Sequence, residues 1–396
     1  MNPTKIEDCI MLDTVGLAVD GIDATLPTHV RTENGEETRS TDHGNMSSSS
    51  GRRTLSVKHV KSKNRLLVEG SCAAHLQEHN IVASNDMIMT AFSMLRAVKD
   101  WHGLNIPLKR AREFARGEDI TVTRVDIPVM LRVPRGMSVG AVVNGLACAG
   151  IRCGINVALY HDESFYYDQS SQTAAPKGYD KAAEIDQRRK KLVLPESQAA
   201  ETLGELASSN VRLEAVFRQK YFASHAWFAG QTVTPRHLSP PMLAAMLLDL
   251  LKKYDLRGSL RARLRQEELW QIPQPYRGTV AFWQNGGDML PYFDYNGRAL
   301  RRHRRFLWEK YSINIDGLPP GEIEVPVQIG DILAPDNFVA VPDAIRCDPK
   351  LFHSLNMRDE WNELCDRAGI RKGLGRVYVD PYEEPWLPHE LGEQSL

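Results

Sequence analysis

Tyr179 and Lys181, set two apart in Gly178-Tyr179-Asp180-Lys181-Ala182-Ala183-Glu184, place a nucleophile next to a cation. A phenol is a weak nucleophile at its ordinary pKa of about 10. A neighbouring positive charge or a metal ion is what activates it. So assisted, a tyrosine can attack a phosphodiester and keep the product as a phosphotyrosine. The pair alone is commonplace, and a surface tyrosine beside a lysine is its ordinary reading. Other residues with chemical potential lie on either side: Glu69 at the end of an apolar run, His79 in Leu76-Gln77-Glu78-His79-Asn80, then Arg124 with Asp126, and Arg212 with Glu214. Residues two apart on a strand share a face. Arg124 with Asp126, and Arg212 with Glu214, can therefore either pair structurally or act together beside a site.

A second pattern competes for the same residues. His75-Leu76-Gln77-Glu78-His79 fits H-x-x-E-H, in which two histidines on one helix bind zinc and the glutamate activates water. That chemistry needs a long helix over about residues 70–82. Gly70-Ser71 before it and Asn80 after it leave room for barely two turns, so chance is the better account.

Five pieces in order carry a more specific signal: Met11 to Asp20, Ser71 to Asn80, Arg124 to Asp126, Tyr179 to Glu184 and Val211 to Glu214. This order resembles the filamentous-phage gene II and phage X replication proteins and their plasmid and prophage relatives. The resemblance covers residues 10–225 and continues loosely to about 315. It implies a rolling-circle initiator that nicks and rejoins origin DNA through a covalent 5′-phosphotyrosine on Tyr179, with Lys181 assisting. It also implies an antiparallel, ferredoxin-like sheet covered by helices, that is, an α+β fold. The implied cofactor is Mg²⁺ or Mn²⁺, with His79, Glu69 and Asp126 as candidate ligands and Arg124, Arg212, Glu214 and Glu184 as supporting residues. Related initiators carry a His-hydrophobic-His pair, whereas this chain has one histidine at that place, so a carboxylate takes the second position. Tyr166 and Tyr167 are the reserve nucleophiles. The implied partners are single-stranded and supercoiled duplex origin DNA, a host helicase and the replication machinery, in the cytoplasm of a bacterial host. A catalytically silent, origin-binding regulator of the same fold is the alternative.

The elements that must position these residues are legible in outline. Ile10 to Asp20 alternates as a strand, and Leu55–Val60 with Arg65–Val68 forms a hairpin. Residues 31–53 are polar with no apolar period and read as a mobile loop. Met87, Ile88, Ala91, Phe92, Leu95 and Val98 recur at helical spacing, with Asp86 at the helix start. Thr121 to Val133 is a strand, and Pro128, lacking an N–H, predicts an edge or a bulge. Ser138–Gly150 reads as a helix, Asn156–Tyr160 with Ser164–Asp168 as a second hairpin, 179–208 as helical with Arg188-Arg189-Lys190-Lys191 on its surface, Asn210–Gln219 as the closing strand and Met242–Tyr254 as an apolar helix. Strands interspersed with helices in this manner suit a sheet covered by helices.

At 396 residues the chain can hold a large core and a second unit. No apolar run approaches the length of a membrane span, and the first residues lack the pattern of a signal peptide. The cysteines Cys9, Cys72, Cys148, Cys153, Cys347 and Cys365 form no C-x-x-C pair, which suits reduced thiols rather than a zinc ribbon. The net charge of −1 hides a polarity. Residues 251–310 hold 13 Lys and Arg against 6 Asp and Glu, and residues 311–396 hold 7 against 16. Together with the resemblance, which implies a nickase domain at 1–225, these shifts mark a basic helical DNA-binding region at 226–315 and an acidic, proline-containing extension at 316–396. Arg261, Arg263, Arg265, Arg301, Arg302, Arg304 and Arg305 are the phosphate-binding candidates. Past residue 335 the tail reads as partly extended. It is a solubilising appendage or a weak electrostatic cover for the basic face.

Overall fold

A computed structural model describes residues 5–33, 36–51, 53–160, 163–187, 194–228, 230–260, 264, 266–311, 313–316, 327–371 and 377–383. Its centre is an antiparallel sheet built by alternation. β1 (Thr14–Asp20) leads through β2 (Thr28–Glu33) and β3 (Glu36–Ser47) to the hairpin β4 (Arg53–Val60) and β5 (Arg65–Ser71). The chain continues to β6 (Thr121–Arg132), β7 (Val157–Tyr160), β8 (Ser164–Tyr167), β9 (Ala174–Asp180) and β10 (Asn210–Arg218). In space the order is β2-β3-β4-β5-β1-β6-β10-β9-β8-β7. The fold is α+β.

One face of the sheet is apolar. Val15, Leu17, Val68, Val125, Ile127, Val129, Leu213, Phe217 and Phe165 belong to the main core. The register sets Leu17 opposite Val68, Val15 opposite Val125 and Leu213 opposite Val129, so these side chains share a side. Helices α1 (Cys72–Leu76), α2 (Met87–His102), α3 (Leu108–Phe114) and α4 (Val139–Arg152) follow the first strands. α5 (Lys181–Gln187), α6 (Gln198–Ser209), α7 (Gln219–Ser224) and α8 (Pro240–Tyr254) come later. α2, α4 and α8 fill the main core. The Asp86 carboxylate caps α2 by accepting the Met89 N–H at 2.9 Å, a contact worth about 1 kcal/mol. Gly103, with φ of 63°, ends the helix in the left-handed conformation that glycine adopts without strain.

The opposite face is polar at its centre. A second, smaller core from α1, α6 and the 81–83 segment covers it at one end. Four further helices make a separate small unit: α9 (Gln266–Trp270), α10 (Gln274–Gln284), α11 (Met289–Tyr292) and α12 (Gly297–Tyr311) enclose Ile272, Val280, Met289, Leu300, Leu307 and Ile315.

Several sequence expectations need correction. Where it is described, the stretch 31–53 is an antiparallel ribbon, not a loop, because ladder bonds come from the backbone and need no apolar alternation. β6 with Pro128 is the middle of the sheet, not its edge. Pro128 lies opposite Glu214 on the β10 side. Its carbonyl accepts the Met11 N–H at 3.0 Å on the other side, where the regular β1 ladder has already ended at Val15–Val125. The missing N–H thus falls beyond the paired stretch. β10, read as the closing strand, also runs inside the sheet, between β6 and β9. Tyr179 and Asp180 finish β9 rather than opening a helix, and α5 starts at Lys181. The Arg188–Lys191 cluster lies outside the described residues, as do residues 384–396 of the tail.

The part of the tail that is described is folded onto the sheet, not extended. β11 (Ser259–Leu260) pairs with β12 (Val327–Gln328), and β13 (Phe338–Val339) adds to β6 opposite Leu131 and Met130. α13 (Ile329–Leu333), α14 (Asp343–Arg346) and α15 (Met357–Arg367) follow, and α15 packs on α3. The hydroxyl of half-buried Tyr382 accepts the Ile88 N–H of α2 at 3.2 Å. Among the described residues no helix is long and apolar enough to cross a membrane.

Candidate active site

The polar face gathers charged side chains through period-two placement on adjacent strands. On β10, Arg212 and Glu214 stand opposite Tyr179 and Lys177 of β9. On β6, Arg124 and Asp126 occupy the same side. Gly178 keeps its own side clear: a Cβ there would strike the Phe165 ring, so glycine lets β8 and β9 close just before Tyr179. Gly16 does the same at a bulge in the β1–β6 pairing, where a Cβ would come within 2.9 Å of Arg124 Cβ.

Tyr179 is only 8% exposed, and its hydroxyl donates to Glu214 Oε1. The same carboxylate accepts Arg212 Nε at 2.7 Å and pairs with Lys177 Nζ at 2.5 Å. Arg212 also donates to the Ile81 carbonyl at 2.8 Å and to Asp13 at 3.2 Å. Asn80 donates to both oxygens of Asp13, at 3.0 and 2.9 Å, and accepts Lys181 Nζ at 2.9 Å. Lys181 pairs in turn with Glu184 at 2.5 Å. Three acids (Asp13, Glu184, Glu214) and three bases (Lys177, Lys181, Arg212) thus balance in a mostly buried network. That balance is the condition under which buried charge is tolerated.

Burial raises the Glu214 carboxyl, but Lys177 and Arg212 outweigh it and hold the group well below the usual carboxylate range. Burial pushes the Tyr179 phenol well above its usual value, and Arg212 only partly offsets that. Lys177 is raised despite burial by the Glu214 and Asp126 charges. The two lysine ammonium groups lie 5.6 and 5.7 Å from the Tyr179 ring centroid, at cation–π range. At rest, then, the phenol keeps its proton, and an ionised acceptor is hydrogen-bonded to it.

The candidate ligands are arranged differently from a metal site. Arg124 lies between Glu69 and Asp126, donating to Glu69 Oε1 at 2.9 Å and to both oxygens of Asp126 at 2.9 Å. Burial pushes Asp126 up to about 6 even though Arg124 pulls it down. His79 is buried, with its Nδ1 3.4 Å from the Gln77 amide. Among the described residues no three or more His, Cys, Asp or Glu gather as they would around a metal ion. A single guanidinium is shared by the two carboxylates, so in this arrangement Glu69 and Asp126 hold Arg124 rather than a metal.

The zinc-peptidase pattern fails geometrically. α1 ends at Leu76, and Glu78 has a φ of 64°, so Glu78 and His79 are off the helix that carries His75. His75 bonds the Thr54 hydroxyl at 2.8 Å, and Glu78 accepts from Ser49 at 2.5 Å.

A cleft of about 340 Å³ opens beside the network, lined by Arg53, Ser71, Asn80, Tyr166, Lys177 and Tyr179 among others. Of the reserve nucleophiles, Tyr166 faces this cleft. Tyr167 lies in the main core, donating to the Leu146 carbonyl at 2.6 Å. Of the basic candidates, Arg301, Arg302 and Arg305 are exposed on α12, and Arg304 pairs with Asp316. Arg261, Arg263 and Arg265 lie outside the described residues. Sequence reading missed Lys177 and Asp13. Lys177 was detectable two residues before Tyr179, on the same strand face, once that strand is recognised.

All five sequence pieces supply the polar face: Asp13, Asn80, the Arg124–Asp126 pair, Tyr179 with Lys181 and Glu184, and Arg212 with Glu214. An α+β protein with an antiparallel sheet and a tyrosine held in a charge-balanced cleft is thereby defined. Residues 11–236 match the N-terminal region of the phage replication-associated protein family, the gene II proteins, and the chain belongs to that family. No curated protein matches the chain. Among solved structures, the rolling circle replication initiator protein from Geobacillus stearothermophilus is similar at 11% identity and a TM-score of 0.28, over 69% of this chain and 96% of that one.

Proposed function

We propose that this replication-associated protein initiates rolling-circle replication by nicking origin DNA, with Tyr179 as the nucleophile. The observation that carries the reading is the Tyr179 hydroxyl, hydrogen-bonded to ionised Glu214 and flanked by Lys177 and Lys181 at the wall of an open cleft. In the reaction the Tyr179 proton passes to Glu214 as the phenol oxygen attacks phosphorus. An O–P bond forms to the tyrosine, the bond from phosphorus to the 3′-oxygen breaks, and that oxygen leaves and takes a proton from water. The product is a 5′-phosphotyrosine and a free 3′-hydroxyl, which can reverse the step and rejoin the strand.

The residues divide the work. Glu214 accepts the proton, and Lys177 and Lys181 stabilise charge on the phenol oxygen as it develops. Arg212 and Asn80 fix the 80–82 segment against the sheet and so hold Lys181 in place. Mg²⁺ or Mn²⁺ remains part of the proposal as a Lewis acid for the phosphate, although Glu69 and Asp126 would first have to release Arg124. The exposed arginines of α12 are proposed to hold origin DNA through its phosphates.

The test is incubation of the chain with end-labelled single-stranded origin DNA and Mn²⁺, followed by denaturing electrophoresis. A protein–DNA adduct is expected with the wild type and not with Tyr179→Phe. An adduct that persists in Tyr179→Phe and disappears in Tyr166→Phe would move the nucleophile to β8.

A further inference from the structure

Ten large apolar side chains are strongly exposed among the described residues, and four of them, Phe282, Leu290, Tyr292 and Tyr295, fall within fourteen positions of the small helical unit. The unit's own core does not need them, since it is closed by Ile272, Val280, Met289, Leu300, Leu307 and Ile315. The rings are mounted rather than loose. Phe282 and Tyr292 stack at 4.6 Å, Tyr292 meets Phe293 edge-on at 5.1 Å, and Phe293 rests against buried His303 of α12 at 4.8 Å. Tyr295 is 75% exposed. Its backbone sits in the left-handed region at φ 58°, with its N–H bonded to the Leu290 carbonyl at 3.0 Å. A bulky residue seldom adopts that conformation without a structural reason.

α12 begins directly after these rings. Asn296 accepts the Arg298 and Ala299 N–H groups at 3.2 Å, and Arg298, Arg301 and Arg302 are exposed on the helix. Among the described residues they pair with no carboxylate, whereas Arg304 and Arg305 do. Two acids share the span, Asp294 and Asp288, and Asp288 is committed to capping α11.

We propose that this surface binds single-stranded DNA, with bases stacking on Phe282, Tyr292 and Tyr295 and phosphates held by Arg298, Arg301 and Arg302. Each half of the surface narrows the partner. Arginines call for a polyanion, and rings call for exposed flat faces, which a single strand offers and a duplex keeps inside its own stack. An apolar protein partner would satisfy the rings and leave the arginines without use. The choice of DNA rests on the proposed function, and the site is distinct from the Tyr179 cleft.

Full-length Tyr179→Phe chain is titrated, so that cleavage plays no part, into fluorescein-labelled oligo(dT) of about 20 nucleotides, longer than the ~4–16 nucleotides such sites cover. A duplex of equal length is titrated in parallel. Phe282→Ala with Tyr295→Ala should weaken oligo(dT) binding by about tenfold or more and leave duplex binding unchanged. Tyr295→Trp should retain binding, and Arg301→Glu with Arg302→Glu should reduce the salt dependence for oligo(dT). The proposal is overturned if the alanine variant binds oligo(dT) as tightly as the parent or loses both DNAs equally. It is also overturned if the variant's only change is loss of self-association in sedimentation. Nicking by chains that retain Tyr179 is read separately, so failure here leaves the proposed function standing.

Discussion

Replacing Lys177 with Met tests whether the charge-balanced network holds the site together. Lys177 Nζ lies 2.5 Å from Glu214, whose side chain is fully buried. Removing one partner of a buried ion pair costs about 3–5 kcal/mol when the other charge is left alone. Here Arg212 stays 2.7 Å from the same carboxylate and Tyr179 still donates to it. The loss should therefore be closer to that of one charged hydrogen bond, about 2 kcal/mol. For a domain of about 150–250 residues that lowers the melting temperature by about 4–8 °C. The pH dependence gives a second handle. Glu214 is held low in the folded state, so its contribution is present above the unfolded carboxyl value near ~4.3 and is lost as pH falls through the folded value. Without Lys177, burial acts on Glu214 with less opposition, so the variant takes up its proton at higher pH. The gap between wild type and variant should then be full near neutrality and narrow in acid. Calorimetry on wild type, Lys177→Met, Glu214→Gln and the double variant supplies the cycle. A coupling energy of about 1.5–2 kcal/mol is expected, and additivity within ~0.5 kcal/mol would refute the reasoning.

Other outcomes follow from the same geometry. Gly16→Ala should push against Thr123 and Arg124 at the β1–β6 bulge and cost about 1–3 kcal/mol, read as a lower midpoint in urea; an unchanged midpoint would show that the bulge yields. Asp126 binds its proton more tightly folded than unfolded, so its contribution is full below pH ~4 and is lost as pH rises through about 6. Asp126→Asn should therefore gain on wild type across that interval in thermal melts, and parallel curves would contradict the burial account. EDTA should stop nicking and leave DNA binding intact; nicking that survives the chelator would assign the phosphate's neutralisation to protein cations such as Arg53 and Lys177.

The parts of the fold legible in sequence are those where one side is buried. α2 announced itself through Met87, Ala91, Leu95 and Val98 with Asp86 before them, and β6 and β10 through runs of Val, Ile and Leu. The site was legible as pairs at i and i+2, since Arg124 with Asp126 and Arg212 with Glu214 do share the polar face. The rest was hidden for physical reasons. The β2–β3 ribbon takes its ladder from the backbone, so its polar composition mimicked a loop. Pro128 was misplaced because the sequence does not show that β1 pairing stops at Val15. Tyr179 was read into a helix because Pro176 and Gly178 favour a helix start just before it, whereas the helix begins at Lys181. Lys177 and Asp13 enter the site only through strand register, which no local pattern encodes. Arg124 between Glu69 and Asp126 is likewise a consequence of three strands meeting, and it reversed the simplest reading of those acids.

The strand Phe338–Val339 occupies the same side of β6 as β1, and half-buried Tyr382 packs on the main core and bonds the start of α2. This gives the chain a timetable during its synthesis. The residues of the polar cleft have all been translated by Arg218, yet β6 gains its last partner only with Val339, and α2 its last contact only with Tyr382. At ~5–20 residues per second, that interval lasts on the order of 10–30 s. Through that interval the end of β6 has an open hydrogen-bonding edge and α2 an uncovered patch. A nascent chain, or one truncated before the return strand, would thus carry every cleft residue on an unfinished support. Whatever chemistry the cleft performs would be acquired late, after the return strand has joined the sheet.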